Sequence, residues 1–107
     1  MSTLKEGTLS KKGNLGWQKR WFEITRRTLV YKAKKDAKQN KAVISLNEAV
    51  IEPVDAATAG KPFAFAVKTS SREMLLRAET EEEYNGWLEL LRQVRRARAH
   101  SCKRDNG

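Results

Sequence analysis

Short runs in which polar and apolar residues alternate fill most of the chain, and stretches rich in glycine, proline or charge separate them. Alternation with a period of two is typical of strands that bury one face. The runs predict seven strands, at residues 8–11, 17–25, 28–32, 42–46, 49–52, 63–67 and 73–78. Gly13 and Gly16 mark the first turn. Pro53 is expected to end the fifth strand, because proline cannot donate a backbone hydrogen bond.

The period changes beyond residue 79. Apolar side chains then recur at i, i+3, i+4 and i+7, the spacing of one helix face, in Tyr84, Trp87, Leu88 and Leu91. Thr80 followed by Glu83 matches a capping box, in which the two side chains satisfy free amides at a helix start. The sequence therefore predicts one C-terminal helix that begins near Thr80 and buries a single apolar stripe.

Seven short strands before one helix predict a mainly β fold, a small antiparallel barrel or sandwich with the helix across one open end. A chain of 107 residues is long enough for one domain with its own core. We assign residues 1–96 to that domain and residues 97–107 to a basic, polar tail that is expected to be flexible.

The sequence carries no sign of secretion or membrane spanning. No segment approaches the about 20 apolar residues that a transmembrane helix needs, and the N-terminus lacks the apolar region of a signal peptide. Cys102 is the single cysteine, which fits a reducing compartment. We expect a cytoplasmic domain that is monomeric.

Positive charge is concentrated in the first part of the chain. The net charge is +9, and residues 1–41, with twelve Lys and Arg against three acidic residues, account for all of it. Such an uneven distribution indicates an anionic partner, and the candidates are lipid headgroups, nucleic acid and an acidic protein surface. The alternative is that the charged residues form a solvated surface that only keeps the protein soluble.

Residue patterns of catalysis are absent from the sequence. Neither of the glycine-rich nucleotide-binding motifs is present. His100 and Cys102 are the only residues of their types, too few for a metal site or a Cys-His nucleophile pair. The acidic cluster Glu81–Glu83 is explained by its place at a helix start. We therefore expect no catalytic residue, no metal, no cofactor and no enzyme activity.

Residue parity indicates a lined concavity at one end of the barrel. Because residues two apart share a strand face, Lys11 lies on the face of Leu9, and Arg20 on the face of Phe22. The third strand returns to the same end, and Tyr31 lies near its close. Positive charges at the end of a core face need a partner because burying an unpaired charge is costly, and a bound anion would be such a partner. The alternatives are solvent or ion pairs with acidic neighbours for the two cations, and a purely structural role for the tyrosine.

These residues carry a family resemblance. The segments EGTLSKKG, GWQKRWFEI and LVYK, with the helical Trp87, together resemble a pleckstrin homology (PH) domain over about residues 5–94. The resemblance implies a seven-stranded antiparallel two-sheet barrel capped by one C-terminal α-helix. Many members bind phosphoinositide headgroups where the loops after strands one and three meet. It therefore implies a non-catalytic module that recruits its protein to anionic membranes, peripherally and through a basic pocket.

The family's basic signature can be carried over residue by residue. Its lysine at the end of strand one falls on Lys11, and its basic-x-Arg pair in strand two falls on Gln18 and Arg20. A tyrosine of strand three that often touches phosphate falls on Tyr31, and a basic residue that opens strand four falls on Lys41. Gln18 departs from the pattern because it is neutral. The string GWQ-x-RW resembles Golgi-directed members that favour phosphatidylinositol 4-phosphate.

A positive rim is expected around this pocket. Lys12 and Lys19 have the opposite parity and should face outward, where each adds about 1 kcal/mol of attraction to an anionic leaflet. Leu15 at the turn either inserts into lipid or folds back onto the barrel, and Trp17 either packs or sits at the membrane interface. The loop after strand three adds Lys34, Lys35 and Lys38.

Two other functions remain open at this point. Some PH domains are adaptors that bind a protein partner and bind lipid only weakly. Gly13 to Gly16 also match the G-x-x-G loop with which KH domains clamp RNA. That loop belongs between helices, whereas strand patterns flank this one, so the sequence does not favour nucleic acid.

Overall fold

Seven strands and two helices make up the part of the chain that the structure describes. The computed structural model describes residues 3–47 and 49–106, and for residues 95–106 it describes the backbone. The elements are β1 Thr3–Gly13, β2 Gly16–Thr25, β3 Thr28–Lys32, β4 Ala42–Ser45, β5 Val50–Val54, α1 Ala56–Ala59, β6 Ala64–Lys68, β7 Glu73–Arg77 and α2 Glu81–Asn106. The predicted mainly β class with a C-terminal helix is confirmed, and α1 replaces part of a predicted loop.

The strands form one antiparallel sheet in the order β4-β3-β2-β1-β7-β6-β5. The two expected half-sheets meet at β1, which pairs with β2 along its length and with β7 at Ser10 and Lys11. Because β1, at 11 residues, is long enough to serve both halves, the ladder is continuous rather than divided into two sheets. In the described residues β4 and β5 are its two edges, so the barrel is not closed.

β1 and β5 depart most from the sequence-based prediction, and the other strands agree with it to within one residue at each end. β1 begins at Thr3 rather than at residue 8, because its polar first half still has β2 as a pairing partner. β5 continues through Pro53 to Val54. The proline is tolerated there because β5 pairs with β6 alone and leaves its other side free as a sheet edge.

The core lies between the curved sheet and α2. The largest fully buried side chains include Phe22, Ile24 and Leu29 from one half of the sheet and Phe65 from the other. The predicted helix stripe is confirmed, since Trp87, Leu88 and Leu91 are buried and Tyr84 packs against the core.

Thr80 caps the start of α2. Its hydroxyl oxygen accepts a hydrogen bond from the Glu83 amide at 3.1 Å, which confirms the predicted start of the helix. The backbone of residues 97–106 continues α2, and the flexibility expected of this tail stays a prediction. Within the described residues, no helix has the length and apolar character needed to cross a membrane.

Candidate phosphate-binding site

The hairpin between β1 and β2 forms the tip of the site. Gly13 pairs with Gly16, so Asn14 and Leu15 alone make the turn. Gly16 has a φ of 108°, a conformation that residues with a Cβ rarely adopt. Leu15 is 91% exposed and does not fold back onto the sheet. The turn therefore presents an isolated apolar side chain to its surroundings.

Lys11 lies on the inner side of this hairpin, close to Tyr31. It pairs with Gln18 across the ladder, and its Nζ lies 5.6 Å from the centroid of the Tyr31 ring. The ring itself is buried and stacks on Phe22 at a centroid distance of 5.2 Å. Tyr31 is therefore a core residue whose ring also lies close to the Lys11 ammonium group. The two interpretations that the sequence left open for it do not exclude each other.

The end of the loop after β3 is tied to the same place. The Lys41 amide donates a 2.8 Å hydrogen bond to the carbonyl oxygen of Tyr31, just before β4 begins at Ala42. The Lys11 ammonium, the Tyr31 ring and the Lys41 backbone thus meet at the end of the sheet, although the three residues are far apart in sequence. Two ammonium groups and a phenol supply the donors that a phosphate group accepts.

Arg20 is held at the unpaired edge of β2. Pairing with β3 begins only at Trp21, so residues 16–20 of β2 have β1 alone as a ladder partner. The Arg20 guanidinium donates to the Lys19 carbonyl oxygen at 2.8 Å and to Gln18 Oε1 at 2.9 Å. Gln18 therefore fixes the direction of the arginine, a contact that a lysine or arginine at that position could not make because neither has an acceptor.

The outward parity of the flanking residues is observed. Lys12 pairs with Trp17 across the hairpin, and its Nζ lies 5.5 Å from the indole centroid. Lys19 reaches Glu79 at 3.1 Å, an exposed ion pair that holds it only weakly. In the loop between β3 and β4, the cations Lys34, Lys35 and Lys38 are all exposed.

The structure also shows a cleft that sequence reasoning missed. This cleft, of about 310 Å³, lies on the outer face of β2. Thr8, Lys19, Arg20 and Trp21 line it from the strands and residues 33–35 from the loop. The available indication was the outward parity of Trp21. A large aromatic residue on a solvent-facing strand position, among cations, needs an explanation.

Comparison with known proteins identifies relatives of the chain. A PH domain family model matches residues 3–96. The Danio rerio protein Differentially expressed in FDCP 6 homolog is 35% identical over 86 residues, which are 78% of this chain and 14% of that protein. Diacylglycerol kinase eta of Mesocricetus auratus is 31% identical over 99 residues, which are 87% of this chain and 8% of that protein. The chain thus spans a small part of the length of both.

Solved structures share the fold. The PH domain of human oxysterol binding protein-related protein 11 has a TM-score of 0.78 at 25% identity, covering 91% of this chain and 83% of that chain. The C-terminal PH domain of pleckstrin, in complex with D-myo-Ins(1,2,3,5,6)P5, has a TM-score of 0.77 at 22% identity, covering 88% of this chain and 96% of that chain. The second likeness concerns the fold alone.

Proposed function

Because the chain belongs to the PH domain family, we propose that it is a non-catalytic module that binds phosphoinositide headgroups and recruits its protein to anionic membranes. The observation that carries this proposal is the convergence of Lys11, Tyr31 and Lys41 at the hairpin end of the sheet. In the solved pleckstrin complex, a domain of the same fold holds an inositol phosphate. That complex supports the same class of ligand here.

Recruitment would proceed in two stages. The excess cations of residues 1–41 attract the domain to an anionic surface over roughly a Debye length, about 8–10 Å at physiological salt. Lys11, Tyr31, Lys41 and Arg20 then coordinate the headgroup phosphates. Leu15 inserts its exposed side chain into the lipid beside them, and the rim formed by Lys12, Trp17, Lys19, Lys34, Lys35 and Lys38 faces the headgroups.

Gln18 is proposed to set the preference among headgroups. It supplies no charge, so the site has one cation fewer than members with the full basic signature. Its side-chain oxygen is occupied by Arg20 at 2.9 Å, which leaves its amide nitrogen free to donate a neutral hydrogen bond. Such a site favours a headgroup with few phosphates, such as phosphatidylinositol 4-phosphate, over the most highly phosphorylated ones.

The test is sedimentation with phosphatidylcholine vesicles that each contain one phosphoinositide. We expect binding that depends on phosphate position and that Lys11→Ala or Arg20→Ala weakens by about 10- to 100-fold, since a charge-assisted hydrogen bond contributes about 1.5–3 kcal/mol. Lys61→Ala, an exposed cation in the loop before β6, is the matched control and should bind normally.

Three outcomes would contradict the proposal. Binding that ignores phosphate position and disappears at raised salt would leave only a nonspecific basic surface. No vesicle binding at all would make a protein-interaction module the better function. A steep, sequence-independent affinity for RNA or DNA would favour the nucleic-acid alternative.

A further inference from the structure

The cleft on the outer face of β2, called here the outer cleft, has a lining of unusual charge. Its charged lining residues are Lys19, Arg20, Lys34 and Lys35, all of them cations, and it contains no carboxylate among its lining residues. Its volume of about 310 Å³ is at the lower end of the about 300–1,000 Å³ typical of ligand sites. The outer cleft is therefore large enough for a few side chains and complementary to negative charge.

Trp21 forms a preorganised wall of this cleft. Its indole nitrogen donates a 3.0 Å hydrogen bond to Glu23, and the same carboxylate lies 3.6 Å from Lys32 Nζ. Lys35 Nζ lies 5.5 Å from the centroid of the ring. An aromatic ring held by contacts on its edge and its face loses little freedom on binding. Tryptophan and arginine in such positions are enriched among the residues that dominate protein interfaces.

The position of Trp21 separates this wall of the cleft from the membrane. Trp21 lies on β2, six residues after Leu15 in the turn, which is at most about 20 Å at about 3.3 Å per residue. A strand tilt of about 45° would still leave about 14 Å. The headgroup layer of one leaflet is only about 5–8 Å thick. This separation rests on the proposed function, in which the Leu15 end docks, and it leaves Trp21 beyond the headgroups. Lys19, Lys34 and Lys35, by contrast, belong to both the cleft and the rim.

We propose that the outer cleft binds an acidic segment of a partner protein, with an apolar side chain of that segment on Trp21 and its carboxylates on the surrounding cations. Arg20 borders both this cleft and the hairpin end of the sheet. Lys19, Lys34 and Lys35 also belong to the proposed membrane rim. The partner segment and the membrane surface would therefore compete for these cations. Because the Trp21 wall is apolar and the residues around it are cations, the cleft suits an acidic peptide with an apolar side chain better than it suits a fully hydrated polyanion.

The variant that isolates the outer cleft is Thr8→Glu. Thr8 is exposed, pairs with Trp21 across the ladder and lines the cleft, but it belongs to neither the headgroup residues nor the rim. The matched control is Thr3→Glu, which adds the same charge to an exposed position of the same strand. Thr3 is about 16 Å farther along β1, beyond a Debye length at about 0.1 M salt.

The probe is a fluorescein-labelled peptide in which one leucine is flanked by glutamates, with a glutamine-flanked peptide as the neutral control. Anisotropy in the absence of lipid should show saturable binding of the acidic peptide alone. Thr8→Glu should weaken it by about fivefold or more, since a like charge at about 4 Å opposes binding by at least about 1 kcal/mol and about 1.4 kcal/mol is tenfold. Thr3→Glu should change it by less than about twofold.

A nitrogen–proton spectrum locates the bound peptide and separates the alternatives. The indole peak of Trp21, assigned with Trp21→Phe, should shift on titration, while that of the buried Trp87 should not. Shifts centred on Lys11 and Lys41 instead, or no saturable binding, would overturn the proposal. A loss of vesicle binding in Thr8→Glu as large as that in Lys11→Ala would also overturn it, because the cleft would then belong to the membrane site. Failure of vesicle binding in the unmodified chain would contradict the proposed function alone.

Discussion

Leu15 offers the most direct test of how the domain meets a membrane. The side chain is 91% exposed at the tip of the first hairpin, so truncating it should leave the fold unchanged. Leu15→Ala removes three carbons at about 0.8 kcal/mol each. Scaled by the exposed fraction, the loss on full insertion is about 2 kcal/mol, or about 30-fold in the partition coefficient at about 1.4 kcal/mol per tenfold.

The matched control is Leu4→Ala. Leu4 is 51% exposed and lies on β1, near the end away from the hairpin turn. The assay is vesicle sedimentation with a phosphoinositide-containing mixture, repeated at low and high salt. We expect the loss for Leu15→Ala to be independent of salt, because it is hydrophobic. The loss for Lys12→Ala should shrink as salt rises.

Equal losses for the two leucine variants would refute the reasoning, because a general change in the domain would then be responsible. A normal partition coefficient for Leu15→Ala would show that the tip stays in water. Urea unfolding midpoints of both variants should match that of the unmodified chain, which checks that the fold is intact.

Three further predictions concern stability. Phe22→Ala should lower the free energy of unfolding by about 3–5 kcal/mol because the ring is 0% exposed, and a loss below about 1 kcal/mol by urea titration would contradict the assigned core. Thr80→Ala removes the acceptor of the Glu83 amide and should lower that free energy by about 1 kcal/mol; an unchanged midpoint would argue against the cap. The hydrogen bond from Lys68 to Glu52 raises the pKa of Lys68 above its ordinary value of 10.5. Its contribution to stability is therefore present in full below that value and is lost as the pH rises through the folded-state pKa. Lys68→Met should flatten this alkaline loss in urea midpoints, and an identical pH profile would exclude the pair as its source.

Much of the fold could be predicted because it follows from local patterns. The alternation around Phe22 and Ile24 set which face of β2 is buried, and the spacing of Trp87 and Leu91 set the helix stripe. The strand 28–32 was predicted with its observed bounds. Pro53 was misleading because local reasoning treats every strand as if it had two neighbours, whereas β5 is an edge.

The sequence by itself determined the strand faces, the hairpin tip and the concentration of positive charge, since each depends on neighbours in the chain. Only the tertiary structure decided which distant residues meet. Lys11 lies against Tyr31 because the curvature of the sheet brings β1 and β3 together at one end. Lys19 lies against Glu79 because β1 is shared between β2 and β7. The outer cleft exists because the loop after β3 packs beside Trp21, and no periodicity records the path of a loop.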